Sequence, residues 1–171
     1  MTTTAELLAD GFGRVRDGVH KTLEGLGSSE LAARLEPTAN TIGWLVWHLT
    51  RIQDDHVAEL AGHKQVWHEG GWVERFALPF DANATGYGQS AVEVGEVRPA
   101  SVELLTGYHD AVHDRTAEYV AGLRDADLER VIDENWDPPV TLGTRLISVI
   151  SDDLQHVGQA AFVRGLLEQR G

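Results

Sequence analysis

Four stretches of this chain repeat their apolar residues every three or four positions, the period of a helix that turns one face to a core. The first stripe is Leu8, Phe12, Val15, Val19 and Leu26, and it closes around Gly25 and Gly27. The second begins after Pro37, with Asn40 or Thr41 as cap, and uses Ile42, Leu45, Leu49, Ile52, His56 and Leu60. The third follows Pro99 through Val102, Leu105, His109, Val112 and Tyr119 to Gly122; the fourth starts near Thr141 or Thr144 and reaches Leu167. No segment alternates apolar and polar residues as a convincing strand would. Four helices of this kind bury their stripes against one another, so the expected fold is all-α, a four-helix bundle, with residues 1–171 as a single domain.

The connections refine that expectation. Gly62 to Pro99, about 38 residues, is too long for a tight hairpin turn, so helices two and three are joined by a long crossover and are free to run parallel. Its composition, rich in Gly, Trp and other aromatics, suits a segment that covers a site. The piece VIDENWDPPVT before the last helix reads as an extended turn, with Pro138 and Pro139 keeping helix out of it.

Two of the stripes carry metal-binding residue types. In the fourth, Val149, Asp152, His156, Ala160, Val163 and Leu167 form one line, so Asp152 and His156 interrupt a core-facing stripe. Four residues apart, they sit about 40° apart around a helix, close enough to grip one ion. His48 on the second helix completes a three-ligand set from a facing element. A carboxylate turned towards a core needs a counter-charge, hydrogen bonds or a cation. Spacing alone fits a buried Asp–His hydrogen bond equally well. Two imidazoles and a carboxylate suit a divalent first-row metal, Zn²⁺, Ni²⁺ or Fe²⁺ with zinc favoured, and leave positions open for substrate.

The other candidates are weaker. His56 lies eight residues past His48, roughly 80° round and two turns along, which points to a supporting or core role. His109 reads as a core histidine. Asp55 reads as pairing with solvent or Arg51. In each of the dipeptides Asp54–Asp55 and Asp152–Asp153 one member should face in and the other out, and Asp152 is taken as the inward one. Trp67, Trp72, Arg75 and Tyr87 are candidates for a substrate pocket on composition alone, against a reading as exposed loop residues.

Composition limits the partners. The chain has 14 Lys and Arg against 27 Asp and Glu, a net charge of −13, with no basic run, which disfavours nucleic acid and anionic membranes. The N-terminus lacks a signal-peptide core and no apolar run would span a bilayer, so a cytoplasmic location is expected. With no cysteine, any metal is held by nitrogen and oxygen, and any thiol must come from outside.

At IGWLVWHLTRIQDDH and DDLQHVGQAAFVRGLL the chain resembles the DinB-like superfamily of four-helix bundles, over nearly its whole length. That family pattern places one metal ligand on the second helix and two on the last, here His48, Asp152 and His156; many members have histidine where this chain has Asp152. The aromatic-rich insert and the QDDH and DDLQH segments are most similar to the mycothiol-using branch, which includes mycothiol S-transferases and a mycothiol-dependent maleylpyruvate isomerase. The resemblance implies an enzyme of detoxification chemistry that activates a low-molecular-weight thiol, mycothiol, on a divalent metal for attack on a small electrophile. Thiol-dependent isomerisation is the alternative within that class. A metal- or ligand-binding stress protein without turnover, or a structural bundle with a polar core pair, are the alternatives outside it. The sequence leaves a homodimer open.

Overall fold

The computed structural model describes residues 2–170. It contains eight helices, α1 (Thr4–Leu23), α2 (Ser28–Leu31), α3 (Ile42–Ala61), α4 (Val66–Glu69), α5 (Trp72–Phe76), α6 (Ala91–Glu96), α7 (Val102–Ala121) and α8 (Leu142–Arg170). A 3₁₀ turn, Asp125–Glu129, and two short strands, β1 (Val131–Asp133) and β2 (Val140–Thr141), precede α8. The four long helices start where hydroxyl side chains can satisfy their free N–H groups. Thr3, Thr41, Ser101 and Thr141 accept from the backbone of Glu6, Trp44, Leu104 and Thr144. Gly62 closes α3 in the left-handed region at φ 71°, which a glycine adopts without steric cost.

Side-chain contacts fix the topology. Gly11 lies beside Ile150 and Gly18 beside Val157, so α1 and α8 run parallel. Thr50 meets His109, Gln53 meets Thr116 and Tyr119 reaches the Leu60 carbonyl, so α3 and α7 are parallel as well. His48 faces His156 while His56 faces Arg145, making α3 and α8 antiparallel. His20 meets Asp110, and Leu8 and Phe12 share a cluster with Val120, making α1 and α7 antiparallel. This is an all-α four-helix bundle whose parallel middle pair is joined by the long crossover. The segment expected as an extended turn is instead a small antiparallel ribbon, with Val131 opposite Thr141 and Asp133 opposite Val140. No described helix is long and apolar enough to cross a membrane.

The crossover does more than connect. Every residue from Thr41 to Arg51 is buried, because α4, α5 and the loop after them wrap the side of α3 that the bundle leaves uncovered. Asp54 anchors this wrap, accepting 2.8 Å bonds from the N–H groups of both Val66 and Trp67 at the start of α4 and another from the Tyr108 hydroxyl. Arg51, fully buried, donates to Gln65 Oε1, the Ala84 carbonyl and Tyr108. Trp67, Trp72 and Phe76 then close around Tyr108 at ring separations of 5.1–5.9 Å. Aromatic contacts of that kind contribute about 0.5–1.5 kcal/mol each beyond area burial.

Candidate metal centre

Trp44, His48 and Arg51 lie at steps of four and three on α3, and so share one face. All three hold the same piece of crossover. Arg51 donates to the Ala84 carbonyl at 3.2 Å, His48 Nδ1 bonds the Thr85 carbonyl at 2.6 Å, and the Trp44 indole N–H donates to Gln89 Oε1 at 2.7 Å. Between them, Gly86 presses onto the imidazole. A Cβ at that position would stand 2.7 Å from His48 Nδ1 and 3.1 Å from Trp47 Cζ3, and its φ is +97°. Only a glycine fits both constraints.

This contact sets the chemistry of His48. A carbonyl oxygen can only accept, so Nδ1 carries the proton and Nε2 keeps its lone pair. Trp44 stacks on the ring at 4.5 Å and 17°. Burial pulls the His48 pKa below its ordinary value of 6.5; the Thr85 bond and Asp152 oppose that pull, while His156 adds to it. The neutral ring is the form that ligates a metal.

On α8, Asp152, His156 and Gln159 follow at steps of four and three. Gln159 Oε1 lies 3.3 Å from His156 Nδ1, within reach to accept a hydrogen bond from it, and His156 Nε2 lies 3.7 Å from Asp152 Oδ2. The two imidazole rings meet at 4.9 Å and 68°. One ligand atom from each of His48, Asp152 and His156 falls within 4.8 Å of the other two, a spread that one cation can draw together. His48 is buried, whereas the side chains of His156 and Asp152 are 17% and 42% exposed, so the cluster opens to solvent at its Asp152 edge. The residues fit a divalent ion: two imidazoles and one carboxylate whose ligand atoms converge, with an open side.

The remaining sequence candidates fall elsewhere. His56 bonds Arg145 at 3.2 Å and is outside the cluster. His109 is a fully buried core residue bonded to Thr50. Asp55 accepts from Gln65 at 2.6 Å, not from Arg51, whose carboxylate partner is Asp54 at 3.6 Å. Trp67 and Trp72 are core, Arg75 lies over the Trp72 ring at 3.8 Å, and Tyr87 is 90% exposed.

The expectation that Asp152 is the inward member of its pair is overturned. Asp153 is the one with no exposure, on the line Leu146, Val149, Ile150, Asp153, Val157 and Ala160, and neither of its carboxylate oxygens has a hydrogen-bond partner. Burial, and then the Asp152 charge, hold its pKa well above the usual carboxylate range. Asp152 sits one residue back, at the rim of the α3–α8 seam. A ligand in an open site has to stand at an edge, so the core is the wrong place for it. Sequence reasoning also missed Thr85, Gly86, Gln89 and Gln159. Gln159 alone had a visible signal, its i, i+3 spacing from His156; the others depend on how the crossover folds back.

The model of the mycothiol-S-transferase family matches residues 7–169, and that family belongs to the DinB-like superfamily. A crystal structure of a conserved protein from Enterococcus faecalis superposes with a TM-score of 0.90 at 29% identity, covering 96% of each chain. None of the curated proteins compared matches the chain.

Proposed function

This chain belongs to the mycothiol-S-transferase family, and we propose that it is a metal-dependent transferase that moves mycothiol onto small electrophiles, with His48, Asp152 and His156 as ligands of one divalent ion, zinc by preference. The observation that carries this reading is the convergence of the three side chains: one ligand atom from each of His48, Asp152 and His156 lies within 4.8 Å of the other two, while Nδ1 of each histidine is engaged by an oxygen of Thr85 or Gln159. A cation held there supplies Lewis acidity that favours thiolate over thiol at neutral pH. The chain itself contributes position and dryness. Thr85 and Gln159 fix tautomer and ring orientation, in the way outer partners of ligating histidines do. Trp44 covers one face of His48, and the Ala84–Gln89 segment closes over its edge. The Asp152 rim is the way in for a small molecule. With no cysteine in the chain, the sulfur that forms the new S–C bond is the substrate's; its S–H proton leaves to solvent, and on a haloalkyl electrophile the carbon–halogen bond breaks and the halide departs.

Residues 48 and 85 from one half of the chain and 152–159 from the other build this one site, which supports taking 1–171 as a single domain. The test is elemental analysis of purified protein combined with consumption of mycothiol, bacillithiol and glutathione in the presence of a bimane electrophile. About one metal per chain and preferential loss of mycothiol are expected. Fully metallated protein that consumes no thiol would sink the reading.

A further inference from the structure

A cavity of about 640 Å³ opens at the far end of the α3–α8 seam, between the end of α3, the β1–β2 ribbon and the start of α8. Its size is in the range of small-molecule sites. Its polar wall is Glu59, Arg130, Asp133, Asn135 and Arg145. Two guanidinium groups face two carboxylates, so the cavity carries no net charge, yet it offers donors and acceptors of every kind. A phosphate or carboxylate would meet two acidic groups there, and a cation two arginines. A neutral polyol uses both.

The wall is held in place. Arg145 bonds His56 Nδ1 at 3.2 Å and stands 3.7 Å from Asp133 Oδ2, tying α8 to α3 and to the ribbon. Asp133 accepts 2.9 Å bonds from the Asn135 N–H and from its side-chain amide, which leaves the Asn135 carbonyl oxygen free to accept. Trp136, next in the chain after Asn135, is 66% exposed, an indole on which the C–H face of a sugar or cyclitol can pack. Position agrees with chemistry. Arg145 precedes Asp152 by seven residues, two turns of α8 and about 10 Å along nearly the same face, so the cavity and the His48–Asp152–His156 cluster lie on one seam.

We propose that this cavity binds the cyclitol end of the thiol substrate, with the adjoining sugar ring lying along the seam past His56 and the sulfur reaching the metal cluster. The proposal rests on mycothiol being the thiol, and it assigns its inositol to Glu59, Arg130, Asp133, Asn135 and Arg145. These groups act by uniform binding, far from the reacting sulfur, so their loss should raise KM and leave kcat.

The probe is N-acetylglucosaminyl-inositol, the thiol-free portion of mycothiol, titrated into the full-length protein and followed by amide NMR. Shifts should concentrate at residues 130–136 and Arg145. Affinity should be the same in the wild type and in His156→Ala, and at least fivefold weaker in Arg130→Ala and Asn135→Ala. Shifts elsewhere, no binding, or unchanged affinity in both cavity variants with unchanged thermal melting would overturn the assignment; the wild-type map stands even if a variant fails to fold. Turnover separates the two ideas. If the probe binds in the cavity but metallated protein consumes no mycothiol, the subsite stands and the transferase reading falls. If mycothiol is consumed with the same KM in both variants and the probe does not bind, the reverse holds.

Discussion

Replacing Gly86 with alanine tests whether the crossover sets the metal centre, because Gly88, two residues on, offers a matched control. Both glycines have positive φ, +97° and +73°, so an alanine at either carries the left-handed backbone penalty of about 1–2 kcal/mol. Only Gly86 has a neighbour: its Cβ would lie 2.7 Å from His48 Nδ1, whereas nothing lies within 4 Å of a Cβ at Gly88. Forcing a methyl into that contact costs about 1–3 kcal/mol, or the segment lifts and forfeits the 2.6 Å Thr85–His48 bond, about 1 kcal/mol. Gly86→Ala should therefore be about 1–3 kcal/mol less stable than Gly88→Ala in urea denaturation of metal-free protein. With the tautomer and orientation of His48 released, its metal affinity, read by competition with a chromophoric chelator, should drop about 10–100-fold. Gly88→Ala should keep wild-type affinity. Equal stability of the two variants together with unchanged affinity in Gly86→Ala would show that Thr85 and Gly86 do not control His48.

Three further outcomes are expected. His48→Ala, Asp152→Ala and His156→Ala should each lose stoichiometric metal in elemental analysis, while His56→Ala retains it, since His56 binds Arg145 and stands outside the cluster. Burial, reinforced by His113, pushes the His109 pKa down to about 3; the unfolded chain takes up a proton near pH 6.5 that the native ring refuses, so stability is full above that pH and is lost as pH falls towards 3, by at most about 5 kcal/mol from this one group. His109→Gln should flatten that acid limb in urea titrations run at a series of pH values, and an unchanged limb would refute the assignment. Asp153 has the opposite sign: its raised pKa keeps the native carboxyl protonated when the unfolded one has ionised, so its contribution is present below 3.8 and is lost as pH rises. Asp153→Asn should consequently gain stability over the parent by an amount that grows from pH 4 to pH 7, and a variant equally or less stable at pH 7 would mean the carboxylate has a partner in solution.

The four long helices were legible because each keeps one apolar face, and that periodicity survives whatever else the helix does. The second helix shows where such reading stops. Its stripe of Ile42, Leu45, Leu49, Ile52, His56 and Leu60 predicts one buried side, yet everything from Thr41 to Arg51 is buried. The cause is Asp54, which receives the first two N–H groups of α4 and draws the crossover over the helix. No local pattern announces a partner twelve residues away. Thr85 and Gly86 are invisible in sequence for the same reason, since their roles exist only after that fold-back.

The two aspartates before His156 give the more general lesson about buried charge. An ionised core-facing carboxylate demands a cation or a proton, yet adjacent helix positions lie only 100° apart, so an apolar stripe does not by itself fix which of two neighbouring aspartates faces the core. The structure divides the two roles. Asp153 has the burial and no partner, and it meets the desolvation cost by holding its proton. Asp152 has the exposure, one turn from His156 and clustered with His48 at the rim. A polar interruption in an apolar stripe thus has two solutions, a proton held in the core or a carboxylate placed at its edge where a cation can reach it, and residue exposure separates them: Asp153 takes the first position and Asp152 the second.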